Sequence, residues 1–409
     1  HPIPIQVFPL ERTVEAFRLL AQAKHVGKVV IRQELRPKPL TIRANATYLV
    51  TGAFGGIGLQ LLEWLAAKGA TSIIAVSRSA NTPSEPALAL LERLSEAGVH
   101  CRPLAIDLAA EGDEATKAVC ILREAQGNLP ADQPLAGVFH AAGVLDDGLI
   151  ASQTAERMQR VLQPKIGGWQ ILHAGLSADS FFVSFSSMAA MLGSPGQVGY
   201  SAANGALDGD CQEHSERPAD DAPVYLSLQW GPWAGAGMAG SLSEKDRRRF
   251  ESFGIGLLEP ADAFIALEIA LQRGRSGQLG VLNNNWLHIA KQSSARQASF
   301  LAPLIEGVSE QESDSGGRSR EALLQELDAS PETQHHRIVV TTLQTNLGRV
   351  MGLDDPSTID PAESLFHIGL DSLMAVELAA MIQNDLGVKL ELESLAGDPT
   401  LEAMGHTVL

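Results

Sequence analysis

From Thr47 onward the chain repeats one pattern: a short apolar run, a turn rich in small residues, then a stretch with helical periodicity. The runs are Tyr48–Thr51, Ser72–Ser77, Cys101–Ile106, Gly137–His140, Phe181–Phe185 and Pro223–Gln229. Their nearly continuous hydrophobicity is that of strands covered on both faces, and strands alternating with helices close into a parallel sheet. The pattern predicts an α/β fold with a doubly wound parallel sheet. In open sheets of this kind ligands bind beyond the carboxyl ends of the strands, so those ends are where chemistry is sought.

Thr51-Gly52-Ala53-Phe54-Gly55-Gly56-Ile57-Gly58 follows the first strand and opens a helix predicted over Leu59–Lys68. Glycines let the backbone approach a pyrophosphate, and the helix N-terminus adds partial positive charge. Glycine-rich loops are common; the position between a buried strand and a helix, at the start of the series, marks this one as a dinucleotide site. The second strand ends Val76-Ser77-Arg78-Ser79. An acidic residue there would bind a ribose 2′-hydroxyl, whereas Arg78 offers a fork for a 2′-phosphate. NADP is favoured over NAD on that ground, the alternative being a solvated surface arginine. Asp107 and Leu108 close the third strand, where a carboxylate can contact the adenine. His140, Ala141, Ala142 and Gly143 close the fourth with small residues that would let the cofactor pass.

The fifth strand ends Phe185-Ser186-Ser187, and Gly199-Tyr200-Ser201 opens the next helix. A hydroxyl and a phenol at that edge suit a carbonyl substrate, one holding its oxygen and the other supplying a proton. Taken alone, the pair reads more readily as a core serine and a packing tyrosine.

Composition narrows the classes. A net charge of −17 argues against a nucleic-acid or anionic-membrane surface. No uninterrupted apolar run is long enough to span a membrane. The start, His1-Pro2-Ile3-Pro4, lacks the basic segment and apolar core of a signal peptide. Cys101, Cys120 and Cys211 have no metal-ligand spacing and are odd in number, which fits a reducing cytoplasm and no metal site.

The TGAFGGIG turn, the HAAG strand end and Ser187 thirteen residues before Tyr200 resemble the short-chain dehydrogenase/reductase superfamily, with its Rossmann-type sheet. The superfamily's usual lysine, four residues after the tyrosine, is Asn204 here. The carrier-linked ketoreductase domains of modular (type I) polyketide synthases look like this and draw their lysine from an upstream helix. Gln163-Pro164-Lys165-Ile166-Gly167-Gly168 matches that motif, and Trp230-Gly231-Pro232-Trp233 matches their cofactor loop. The resemblance implies that Tyr200 protonates the developing alkoxide while hydride arrives from NADPH, and that Ser187 holds the same oxygen. Lys165 would hold the ribose and lower the phenol's pKa, and Asn204 would position a relay water. Pro232 and Trp233 would join Thr51, Gly52, Phe54, Gly55, Gly56, Ile57 and Gly58 around the cofactor. Leu145-Asp146-Asp147, otherwise a solvated surface loop, resembles the marker of ketoreductases that set a D-configured 3-hydroxyl. The opposite class has a tryptophan where this chain has Leu192, and Ala202 replaces a proline linked to epimerised α-substituents.

Residues 292–331 turn to Ser, Gln, Gly and Glu, as in Ser309–Gly317, and read as a flexible linker. Helices are predicted beyond it at Thr333–Met351, Ser372–Asp385 and near Thr400–Met404, a small bundle with Asp371 at an N-cap. Gly369-Leu370-Asp371-Ser372-Leu373 resembles the attachment motif of acyl carrier proteins, which implies 4′-phosphopantetheine on Ser372, placed there by a phosphopantetheinyl transferase. Residues 1–36, a predicted helix and strand too small for a core, resemble the closing segment of an enoylreductase. The expected domains are therefore 1–36, an enoylreductase tail; 37–291, ketoreductase; 292–331, linker; and 332–409, carrier. The implied partners are a carrier-bound β-ketoacyl substrate and the ketosynthase, acyltransferase, dehydratase and enoylreductase of one synthase. The alternatives are a free short-chain dehydrogenase acting on a small alcohol or ketone, and a catalytically silent docking scaffold.

Overall fold

The computed structural model describes residues 4–32, 38–173, 176–177, 179–215, 222–235, 244–292, 295–305, 320–353, 355–390 and 399–408. The Ser309–Gly317 segment lies outside the described residues. At the start, β1 (Ile5–Pro9) and β2 (Lys28–Arg32) pair in parallel across α1 (Thr13–Ala21). This βαβ unit is too small to close a core: Ala16 is buried, but Val7, Val14, Phe17 and Val26 are exposed.

The main body alternates β3 (Thr47–Thr51), α2 (Gly56–Ala67), β4 (Ser72–Ser77), α3 (Glu85–Glu96), β5 (His100–Ala105), α4 (Gly112–Gly127) and β6 (Leu135–His140). It continues through α5 (Ala155–Leu172), β7 (Phe181–Ser187), the short α6 (Met188–Leu192), α7 (Val198–Ser215) and β8 (Val224–Trp230). After α8 (Glu244–Ser252) and β9 (Ile255–Gly256) come α9 (Pro260–Arg273), β10 (Gly277–Val281), β11 (Asn283–Asn284), α10 (Trp286–Gln292) and α11 (Ala295–Ile305). One parallel sheet of seven strands runs β10-β8-β7-β6-β3-β4-β5. The order reverses between β3 and β6, where Thr51 stands in register with His140. That reversal opens the crevice in which doubly wound sheets bind ligands.

The six expected strands are present, one with both ends as expected and the others with ends moved by at most two residues, and β10 adds a seventh. Its sequence, Gly277-Gln278-Leu279-Gly280-Val281, lacks a β-branched run, and pairing with β8 makes it a strand. Alternate side chains leave opposite faces of the sheet. Phe181, Val183 and Phe185 join Leu61, Leu65 and Leu267 in one layer, while Phe182 joins Leu122, Trp169 and Leu207 in the other.

The last unit packs α12 (Arg320–Ala329), α13 (Glu332–Met351), α14 (Ser372–Leu386) and α15 (Leu401–Val408) around Leu343, Leu347, Leu378, Ile382 and Leu401. Gly352, left-handed at φ 65°, ends α13. The expected linker differs from the structure, because α11 and α12 both lie within residues 292–331. Leu301 and Leu323 are buried, and Leu327 packs on the core of this last unit. A few leucines among polar residues were enough to give each helix an apolar side to bury.

Gly137 on β6 faces Phe181 on β7 so closely that an added Cβ would lie 2.2 Å from the ring. Phe181 is held in turn by Phe139 at 5.4 Å and Tyr48 at 6.2 Å between ring centroids. Gly137→Ala should therefore destabilise the protein by about 1–3 kcal/mol in chemical denaturation, the cost of overpacking a filled core. A change within about 0.5 kcal/mol, the range of neutral surface substitutions, would contradict this packing.

Candidate active site

The turn from β3 into α2 is built to admit an anion. Gly52 has φ +64°, and a Cβ there would sit 2.9 Å from the Ala141 carbonyl oxygen. A Cβ on Gly58 would lie 2.1 Å from the Gly52 oxygen, so both glycines are required by close backbone approach. Gly55 caps α2 without a side-chain hydrogen bond, and no acidic residue stands in the first turn. Gly55 and Gly56 are exposed, which leaves the free amides of that turn accessible to phosphate. Phe54 and Ile57 are half-buried against the core and hold the turn down. On the next strand end Ser77 is half-buried and Arg78 exposed, with the Ser77 and Ser79 hydroxyls 3.0 Å apart. Asp107 is exposed and accepts from the Ala109 amide at 3.0 Å, whereas Leu108 is buried in the core.

Lys165, Ser187, Tyr200 and Asn204 come together at the ends of β6 and β7. Lys165 is almost fully buried on α5, and its Nζ donates to the Phe185 carbonyl at 2.8 Å. Desolvation pulls its pKa down to about 8, while the charge of Asp208 raises it. The ammonium lies 6.0 Å from the centroid of the Tyr200 ring. Ser187 ends β7 and caps α6, accepting from the Ala189 amide at 3.2 Å. Burial raises the pKa of the Tyr200 phenol; side-chain hydrogen bonds with Ser187 and Asn204 oppose this, and the charge of Asp147 adds to it. Burial outweighs these hydrogen bonds, and the Lys165 Nζ beside the ring is engaged by a backbone carbonyl. Asn204, one turn along α7, donates from Nδ2 to the Tyr200 carbonyl at 2.9 Å. Its buried Oδ1 has no hydrogen-bond partner.

Two other expected cofactor residues turn inward. The Trp233 indole is buried against Trp230 and Phe264, at centroid distances of 5.1 and 5.4 Å, and Pro232 before it is half-buried. His140 is wholly buried, with Nδ1 2.7 Å from Thr51 Oγ1 and Nε2 2.9 Å from the Lys165 carbonyl. Its side chain is thus part of the scaffold. Ala141, Ala142 and Gly143 are half-buried beyond it and continue the crevice.

The two aspartates after them have different surroundings. Asp146 is gripped by Arg157 Nε at 2.9 Å and Nη2 at 2.5 Å, and by Arg160 Nη1 at 2.6 Å. The Arg157 hydrogen bond is the main reason its carboxyl is held below the ordinary range. Asp147 is exposed and accepts from Gln197 Nε2 at 2.9 Å, and the Gly148 amide donates to the Gly196 carbonyl at 2.8 Å. These contacts join the loop after β6 to the loop before α7. Leu145 is exposed beside them.

Sequence reasoning missed Arg157, Arg160, Gln197 and Asp208. Arg157 and Arg160, one helical turn apart on the helix following the two aspartates, were a readable signal. Asp208, four residues after Asn204, is a buried carboxylate accepting from Ser227 Oγ at 2.5 Å and Gln229 Nε2 at 2.7 Å. In the C-terminal helical unit α14 begins at Ser372, and Asp371 Oδ1 accepts from the Met374 amide at 2.7 Å, as an N-cap does. The side chain of Ser372 lies outside what the structure describes. Among the described residues no cluster with metal-ligand character occurs, and no helix is long and apolar enough to cross a membrane.

Comparison with known proteins agrees with this geometry. Residues 46–235 match the KR domain family and residues 341–408 the phosphopantetheine attachment site family. The whole chain aligns at 34% identity with the phenolphthiocerol synthesis polyketide synthase type I Pks15/1 of Mycobacterium marinum. Over 95% of its length it is 32% identical to the mycoketide-CoA synthase of Mycobacterium tuberculosis. It spans 19% and 9% of these two relatives. Among solved structures, A-type ketoreductases from a modular polyketide synthase align with 63% of this chain and 52% of theirs, at 30% identity and a TM-score of 0.53. The ketoreductase from the first module of phoslactomycin biosynthesis in Streptomyces sp. HK803 aligns with 64% of this chain and 59% of its own, at 30% identity and a TM-score of 0.54. The chain thus joins a KR domain of Rossmann-like fold to a helical phosphopantetheine carrier domain, and it is homologous to the modular polyketide synthases.

Proposed function

We propose that the chain catalyses NADPH-dependent reduction of a β-ketoacyl thioester, presented on a phosphopantetheinylated carrier, to the D-3-hydroxyacyl thioester during polyketide extension. The observation that carries this reading is the meeting of Ser187, Tyr200, Asn204 and buried Lys165 beside an uncapped glycine turn. NADPH, when bound, supplies the hydride. Thr51 to Gly58 would hold its pyrophosphate, Arg78 its 2′-phosphate, and Lys165 its ribose. A phenol whose pKa is raised by burial is fully protonated at neutral pH, the form needed to give a proton to an alkoxide. Ser187 orients the ketone oxygen toward that phenol. The unpartnered Oδ1 of Asn204 supports the relay role, because a buried acceptor left unpaired is costly unless water fills it.

The D configuration rests on Leu145-Asp146-Asp147 and on Leu192 where the opposite class carries tryptophan. The A-type label of the similar structures belongs to those proteins. The carrier reading rests on Ser372 opening α14 behind the Asp371 cap. It implies a phosphopantetheinyl transferase and a cytoplasmic assembly with ketosynthase, acyltransferase, dehydratase and enoylreductase domains. The exposed apolar side chains of the β1-α1-β2 unit support its assignment as the end of that enoylreductase.

Tyr200→Phe should lower the rate of NADPH consumption with a β-ketoacyl thioester by about 10²- to 10⁴-fold, the usual worth of a positioned acid. Chiral analysis of the wild-type product should give the D-3-hydroxy thioester; an unchanged rate in the variant, or L product, would contradict the respective assignment. Incubation with a phosphopantetheinyl transferase and coenzyme A should add one phosphopantetheine mass to the chain and none to Ser372→Ala. Lys165 has a folded-state pKa of about 8, below its ordinary 10.5. The penalty of charging it in the fold is therefore complete below about pH 8 and relieved as pH climbs toward about 10.5. Wild-type stability, measured by denaturant titration, should rise relative to Lys165→Met across that window; a constant difference would contradict the buried ammonium.

A further inference from the structure

We propose that His140 is a positioning residue, a neutral imidazole whose two nitrogens complete a one-way hydrogen-bond chain from the strand end beside the cofactor turn to the backbone of Lys165. The importance of Lys165 rests on the function proposed above; the chain itself rests on geometry. His140 Nε2 is 2.9 Å from the Lys165 carbonyl, which can only accept, so Nε2 carries the proton. Nδ1 is then an acceptor, and Thr51 Oγ1, 2.7 Å away, must donate to it. The same Thr51 oxygen accepts from the Ala142 amide at 3.2 Å. The sequence of donors is Ala142 amide, Thr51 hydroxyl, His140 Nε2–H, ending on the Lys165 carbonyl. An imidazolium would reverse the middle bond and leave the Thr51 proton without its acceptor. Burial and the nearby Lys165 charge oppose the imidazolium too, pulling the His140 pKa down to about 3.

Two features of α5 show why the lysine needs this support. Pro164 has no N–H, so the helix lacks the bond that its position would make to the Arg160 carbonyl, immediately before Lys165. Three residues after the lysine, a Cβ on Gly168 would lie 2.8 Å from His140 Cε1 and 3.2 Å from Nε2. Gly168 is thus the space that lets the imidazole reach the helix backbone. The lysine is fixed at both ends, its carbonyl through His140 to β6 and β3 and its Nζ to β7. The HAAG and Pro-Lys-Ile-Gly-Gly motifs are two halves of one contact.

The alternative is an imidazole that merely fills space, and two measurements separate them. Nitrogen NMR of the full chain without ligand should show His140 protonated at Nε2, unprotonated at Nδ1 and not titrating from about pH 5 to 8, where an ordinary histidine changes charge. A titrating ring or the opposite tautomer overturns the proposal, and either result stands whether or not the chain reduces ketones. In the turnover assay His140→Leu, which keeps bulk, should lower kcat about 10²-fold with little change in substrate KM, the effect of a small misplacement of a catalytic group. His140→Asn, which keeps one acceptor and one donor, should recover most of that loss. His140→Leu with wild-type kcat, or His140→Asn as impaired as His140→Leu, overturns it.

Discussion

An ammonium group taken out of water must be compensated nearby, and the burial of Lys165 imposes that demand at the centre of this site. The Phe185 carbonyl takes its Nζ at 2.8 Å, and buried Asp208 supplies the countercharge from α7. Asp208 is itself satisfied by Ser227 and Gln229 on β8, so the charge balance spans α5, α7, β7 and β8. These elements meet because the parallel sheet brings the carboxyl ends of its strands to one edge. The fold positions the lysine, and the lysine in turn explains why polar side chains stand inside an apolar layer.

The rim is organised separately from the base. Asp146 is locked to α5 by two arginines, which makes it a strut for the loop after β6. Asp147 reaches across to Gln197 on the loop that leads to Tyr200, and its charge acts on the phenol. The two adjacent aspartates therefore do different physical work. One shapes the loop, and the other joins the two sides of the mouth.

Most of the sheet was legible in the sequence because buried parallel strands are continuous apolar runs, and the glycine turn because only glycine fits at Gly52 and Gly58. Strand β10 was not, since its two glycines and one glutamine carry no strand signal without β8 beside them. Helices α11 and α12 were hidden by the polar composition around them. The group Ser187, Tyr200, Asn204 and Lys165 was visible through motif spacing, but the surroundings of each side chain were not. Spacing says that His140 and Trp233 stand near a cofactor crevice; it does not say which way their rings turn. Both are aromatic groups at or just beyond a strand end, and the core claims them. Asp208 was unreadable for a similar reason, because its partners lie about twenty residues away on β8.

The central claim is that a ketone tethered to Ser372 takes hydride from NADPH and a proton from Tyr200. It is tested most directly in one turnover: the carrier is loaded with a β-ketoacyl group, deuterated NADPH is added, and the mass of the bound acyl group is read from the intact chain. The account predicts a gain of one deuterium and one hydrogen, slowed about 10²- to 10⁴-fold by Tyr200→Phe while the acyl group stays on the carrier. A β-ketoacyl carrier whose mass does not change, on a chain with Ser187, Tyr200, Asn204 and Lys165 intact, would contradict it.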